Sequence, residues 1–183
     1  MVIKVFSFCF IAFSFVAATE DIFKIAVIVD KNIITNKDIE DITQILCLRS
    51  NSTVDSKKCV KENKLSAMQL LVNSKIQKSY FDKIEDKLQN IDFDSKDFKF
   101  FLTQNEQQFK FNKNIAKEKK IDYALFLEYI KNQFLFLLLV HSYNTNEASK
   151  DKQIMEQENM KRAEQLMQKL RSQAFIEFRI DSL

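Results

Sequence analysis

Short apolar runs and longer helical periods alternate along this chain in an order that predicts a small sheet enclosing a set of helices. Lys24-Ile25-Ala26-Val27-Ile28-Val29 is β-rich, Asp30-Lys31-Asn32 supplies turn chemistry, and Ile33-Ile34 resumes the apolar run. Ile22–Ile34 therefore reads as a hairpin, although it alternates too little for one face to be fully solvated. Thr35 or Asn36 can cap a helix whose Ile39, Ile42, Ile45 and Leu46 form one stripe. A polar stretch, Arg49–Lys58, precedes a long helix over about Lys61–Gln89. Leu65, Met68, Val72, Ile76 and Tyr80 keep helical spacing there, and Leu70, Leu71, Phe81 and Leu88 widen the stripe.

Asp94 or Ser95 opens the next helix, with Asp97 in its first turn. Its buried side is Phe98, Phe101, Leu102 and Phe109, from which Phe100 and Phe111 diverge. Lys113–Lys120 reads as a solvated turn. The helix Asp122–Tyr143 carries a main stripe of Tyr123, Phe126, Leu127, Ile130, Phe134, Leu137, Leu138 and His141. Leu125, Tyr129, Phe136 and Val140 make a second apolar face. A helix apolar nearly all round is sandwiched between layers or keeps a face for a partner. Glu128, Lys131, Asn132 and Gln133 in its middle make it a poor membrane span. Asn144–Lys150 is a polar linker; residues 151–173 form a charged helix bearing Ile154, Met160, Leu166, Met167 and Leu170; Phe175–Ile180 is a closing strand. A lone hairpin is marginal in water, and a third strand improves it. The expectation is a mainly α, α+β domain in which the last strand joins the first hairpin in an antiparallel sheet.

Composition narrows the chemistry. The 183 residues contain Gly 0 and Pro 0, where ordinary usage would give about a dozen and about nine. Glycine-rich phosphate loops are thus excluded, and P-loop and Rossmann chemistry with them. Apolar residues make up 46% and charged residues 29%, which argues for a real core rather than wholesale disorder. Net charge is +3, without a basic patch interleaved with stacking aromatics, so nucleic-acid binding has little support.

Residues 1–18 hold Lys4, an apolar run Val5–Val16 and then Ala17-Ala18. Val16 and Ala18 suit a signal-peptidase site and a mature start near Thr19, implying export and no stable membrane insertion after cleavage; an uncleaved anchor is the alternative. No small-residue lipobox precedes Cys9. Cys47 and Cys59 are either a disulfide across the polar segment or two unrelated thiols. No Cys-x-x-Cys indicates redox catalysis, no ligand cluster has zinc spacing, and no carboxylate run matches a calcium loop. His141 lies on an apolar stripe and reads as a core or helix-end histidine. Glu156, Glu158 and Glu164 read as a solvated face. Asn51-Ser52-Thr53 fits a glycosylation sequon, relevant only in a eukaryotic host. No cofactor is indicated.

Four stretches resemble the SurA family of periplasmic chaperones. Ile25-Ala26-Val27-Ile28-Val29, Ile33-Ile34-Thr35 and Asp38-Ile39 follow that family's opening hairpin, and Arg162–Phe178 resembles its returning helix and strand. Phe93-Asp94-Ser95-Lys96-Asp97-Phe98 and Phe126–Phe134 look like its third and fourth helices. The resemblance implies a signal peptide, 1–18, and one core domain, 19–183: an N-terminal part, 19–143, a linker at 144–150 where parvulin modules would stand, and a C-terminal helix and strand, 151–183. With no parvulin module, prolyl isomerisation is expected to be absent. The implied function is ATP-independent holding of unfolded outer-membrane proteins or peptides in the periplasm. Phe100, Phe111, Leu125, Tyr129, Phe136 and Val140 are the candidate peptide-binding residues, being left over from the core stripes. A secreted helical module that binds one partner or forms a homodimer is the alternative.

Overall fold

A computed structural model describes residues 24–50, 56–84, 88, 91–142 and 152–179. The leader at 1–18, the sequon and the linker at 144–150 lie outside the described residues. Strands β1 (Ile25–Val29) and β2 (Asn32–Thr35) open the fold, followed by helices α1 (Asn36–Arg49), α2 (Lys57–Lys83), α3 (Lys96–Phe109), α4 (Lys113–Lys119), α5 (Tyr123–Ser142) and α6 (Lys152–Gln173), then strand β3 (Ile176–Phe178).

The two ends of the chain meet in one antiparallel sheet of order β2-β1-β3, as expected. β1 pairs Val27 with Ile34 and Ile28 with Ile33 on one side, and Val27 with Phe178 and Val29 with Ile176 on the other. A bulge between Ile25 and Val27 lets the successive residues Ala26 and Val27 both be fully buried, which accounts for the weak alternation. Asp30, at φ 51°, takes the left-handed turn position. Asp30 N donates to Phe175 O at 2.9 Å, and its carboxylate accepts from Phe175 N at 2.9 Å, locking the hairpin turn to the start of β3. Asn32 is in β2, and its amide donates to Ser79 Oγ at 2.9 Å.

Side-chain caps set the helix starts. Thr35 and Asp38 form a reciprocal capping box before α1. Ser95 Oγ accepts from Phe98 N at 3.3 Å before α3. Ser56 caps Cys59 N, so α2 begins four residues before the expected Lys61. The Lys113–Lys120 segment departs from the expected solvated turn: Lys113–Lys119 is helical. Asn112 Oδ1 accepts from Asn114 N and Ile115 N at 3.0 and 3.1 Å, starting a turn too short to show a hydrophobic period.

The core lies between the inner face of the sheet and the helices, with α2 contacting β1, β2, α1, α5 and α6. At one end Phe109, Phe111 and Phe126 meet edge-on, Phe111 and Phe126 with ring centroids 5.1 Å apart. Cys47 and Cys59 form a disulfide, Cα–Cα 5.9 Å, joining the last turn of α1 to the first turn of α2. It spans a segment that is partly outside the described residues.

Candidate functional site

The six candidate lining residues do not share one exposed surface. Phe111 is fully buried, and Phe136 and Val140 are 5% and 2% exposed. Leu125 and Tyr129 are half-buried against the core. Phe109 stands edge-on to the Tyr129 ring at 6.3 Å, and burial pushes the Tyr129 hydroxyl pKa up, against the pull of Arg49. Only Phe100 is largely exposed, at 65%.

The reason lies in α5. Its N-terminal half buries Phe126 and Ile130, members of the main stripe. Its C-terminal half buries Phe136 and Val140 instead, while Leu137, Leu138 and His141 face outward. The buried side therefore rotates along the helix as the neighbouring elements change. His141 is an exposed helix-end residue whose Nδ1 lies 2.7 Å from Leu137 O.

Polar groups fix α5 against α2. Asn132, 6% exposed, donates to Ser74 O and Oγ at 3.2 and 2.9 Å. Gln133 donates to Gln77 Oε1 at 3.0 Å, and Gln77 donates to Met167 Sδ on α6 at 3.6 Å. Lys75 and Glu128 pair at 2.6 Å with the lysine mostly covered. By length and mean hydropathy, 1.4 over its best window, α5 could cross a membrane. Its central polar residues instead serve as the seam of a packed bundle.

The rotation leaves Leu137 and Leu138, about 40% exposed, near the end of α5. A groove of about 460 Å³ opens between that end and α6, lined by Val140, Leu166, Arg162, Gln165 and Lys169. Its apolar residues come from both helices, and its polar ones come from α6. Sequence reasoning assigned Leu137 and Leu138 to the core. The signal against this was the unbroken run Leu135–Val140, which exceeds what one helix face can bury.

Catalytic chemistry finds few candidates. No group of three or more His, Cys, Asp or Glu that could hold a metal occurs among the described residues. The buried carboxylate is Asp41, 1% exposed. It pairs with Lys37 one turn earlier and accepts from Asp122 N at 3.2 Å, tying α1 to the start of α5. Burial raises its pKa above the ordinary 3.8, while Lys37 and the Asp122 amide oppose the rise.

An acid whose folded pKa is raised binds its proton more tightly when folded. Its stabilising contribution is full below pH 3.8 and is lost as pH rises through the folded pKa. Urea unfolding of wild type beside Asp41→Asn should show wild type losing ground to the variant as pH rises from 3.8 toward neutrality. A difference that is flat or grows in favour of wild type would contradict this account of Asp41.

Tyr123 Oη donates to Glu106 Oε1 at 2.7 Å, and its pKa is raised by burial and then by that carboxylate. This bond joins the middle of α3 to the start of α5. Neither a protein-family profile, nor a curated protein, nor a solved structure matches this chain.

Proposed function

We propose that this chain is an ATP-independent, SurA-like chaperone core that holds unfolded outer-membrane proteins in the periplasm, without prolyl-isomerase activity. The observation that carries the reading is the closure of the fold. A hairpin at one end and a helix–strand at the other join in a single sheet around the helices, the arrangement that the resemblance implies. The Cys47–Cys59 disulfide fits an oxidising compartment.

The surface this reading uses is Leu137 and Leu138 near the end of α5 together with the groove at Val140 and Leu166, which keeps Val140 alone of the six residues first considered. Unfolded barrel strands alternate apolar and polar side chains. Apolar groups set beside the flexible polar side chains of Arg162, Gln165 and Lys169 suit such a client without requiring one sequence.

A fluorescently labelled barrel-strand peptide tests this placement by anisotropy. Leu137→Ser/Leu138→Ser/Leu166→Ser should weaken its affinity at least tenfold, about 1.4 kcal/mol. Leu65→Ser, which changes an exposed leucine on α2, should leave affinity unchanged. Equal affinities for both variants, with thermal stability intact, would remove the groove from the proposal. Tight binding of one natural protein and none of barrel peptides would favour the single-partner module.

A further inference from the structure

We propose that α4 and its two flanking turns form a docking surface for anionic phospholipid membranes. Lys110, Lys113, Lys117, Lys119 and Lys120 stand within eleven residues, accompanied by Glu118 alone among acids. That segment carries a formal +4 while the whole chain carries +3, so everything else sums to −1. The start of α2 carries a second basic run, Lys57, Lys58, Lys61 and Lys64 with Glu62, that sums to +3 and serves below as the comparison.

The fold presents these lysines on a fixed platform. Phe111, Ala116 and Ile121 are buried, at 0%, 3% and 5% exposure, and anchor the segment from beneath. All five lysines are exposed. Lys110 and Lys120 occupy the left-handed region at φ 51° and 57°, closing α3 and α4 with turns where glycine would ordinarily serve. Arg49 lies over the ring of Phe109, the residue before Lys110, at 5.3 Å.

Flanking carboxylates keep their charge, so residues 106–122 together sum to +2. Glu106 accepts from Tyr123 Oη, Asp122 accepts from Ala124 N, and Asp41 is paired with Lys37. Glu118 is 3.0 Å from Lys119 and offsets that lysine.

The chemistry favours a lipid surface over other polyanions. Phe109 and Phe111 are buried and Tyr123 lies under Lys113, so the patch offers few rings for base stacking. Lysine acts as a hydrated point charge, without the bidentate fork that selects individual carboxylates or phosphates. A cluster of such charges suits the diffuse field of an anionic leaflet, each near the surface contributing about fivefold in affinity. The inference does not depend on the chaperone reading.

The full chain is tested by co-sedimentation with phosphatidylcholine vesicles, with and without phosphatidylglycerol. Anionic vesicles should bind it preferentially, and high salt should release it. Lys113→Gln/Lys117→Gln/Lys120→Gln should lower the partition coefficient at least tenfold with thermal stability retained. Lys57→Gln/Lys58→Gln/Lys61→Gln removes the same charge from exposed positions on α2 and should cost much less. Equal losses in the two variants would reduce the effect to net charge and overturn the proposal. So would equal binding to neutral vesicles, or preferential binding to polyglutamate or DNA when these compete with the vesicles.

Discussion

Phe126→Ala should destabilise the protein by about 3–5 kcal/mol, the range for truncating a buried aromatic. Phe126 is 1% exposed and sits among Phe109, Phe111 and Tyr123, with ring centroids 5.7, 5.1 and 6.1 Å away. Those neighbours come from the end of α3, the turn before α4 and the start of α5, and α1 packs alongside α3. Few of them can move to fill the space, because each is held by another contact. Arg49 lies over Phe109, and Tyr123 is tethered to Glu106. The cost should appear as a fall in urea midpoint with little change in slope. Phe100→Ala, at an exposed position on α3, should stay within about 0.5 kcal/mol of wild type. A loss below about 1 kcal/mol at Phe126 would contradict the packing described for this end of the molecule.

Breaking the Cys47–Cys59 bridge should lower stability by about 3 kcal/mol, the loop-closure value for a separation of 12 residues. Both cysteines are buried, at 0% and 5% exposure, and the bridge fixes the junction between the two helices that pack most extensively together. Cys47→Ser/Cys59→Ser and reduced wild type should melt at similar temperatures, about 6–12 °C below oxidised wild type. An unchanged melting temperature would show that the α1–α2 packing needs no covalent tie. The bridge was one of two alternatives open in the sequence. Spacing alone could not choose between them, because pairing depends on the direction in which α2 leaves the polar segment.

Local chemistry made much of the fold legible. Thr35 or Asn36, and Asp94 or Ser95, marked the helix starts, and the structure uses Thr35 and Ser95, whose side-chain oxygens accept from backbone amides. The need of a marginal hairpin for another strand brought β3 to β1. Other features depend on neighbours that a helical period does not reveal. The apolar surface of α5 runs nearly all round, so its pattern could not tell where the buried side turns from Ile130 to Phe136 and Val140. Phe111 diverges from the stripe of α3, yet it lies beyond the end of that helix, where the left-handed turn at Lys110 directs the chain back into the core. Extending a helical wheel past the end of its helix made Phe111 a surface candidate. The exposed pair Leu137–Leu138 was hidden for the complementary reason. It fits the stripe, but the packing surface has shifted by that point.

The most direct measurement of the chaperone proposal is aggregation of a denatured outer-membrane barrel diluted into buffer, followed by light scattering with this protein and without ATP. A soluble globular client and the Leu137→Ser/Leu138→Ser/Leu166→Ser variant run in parallel. The account predicts suppression of barrel aggregation near stoichiometric amounts, weaker action on the globular client, and loss of suppression in the variant. Undiminished aggregation in stoichiometric excess of folded, disulfide-bonded protein would contradict it.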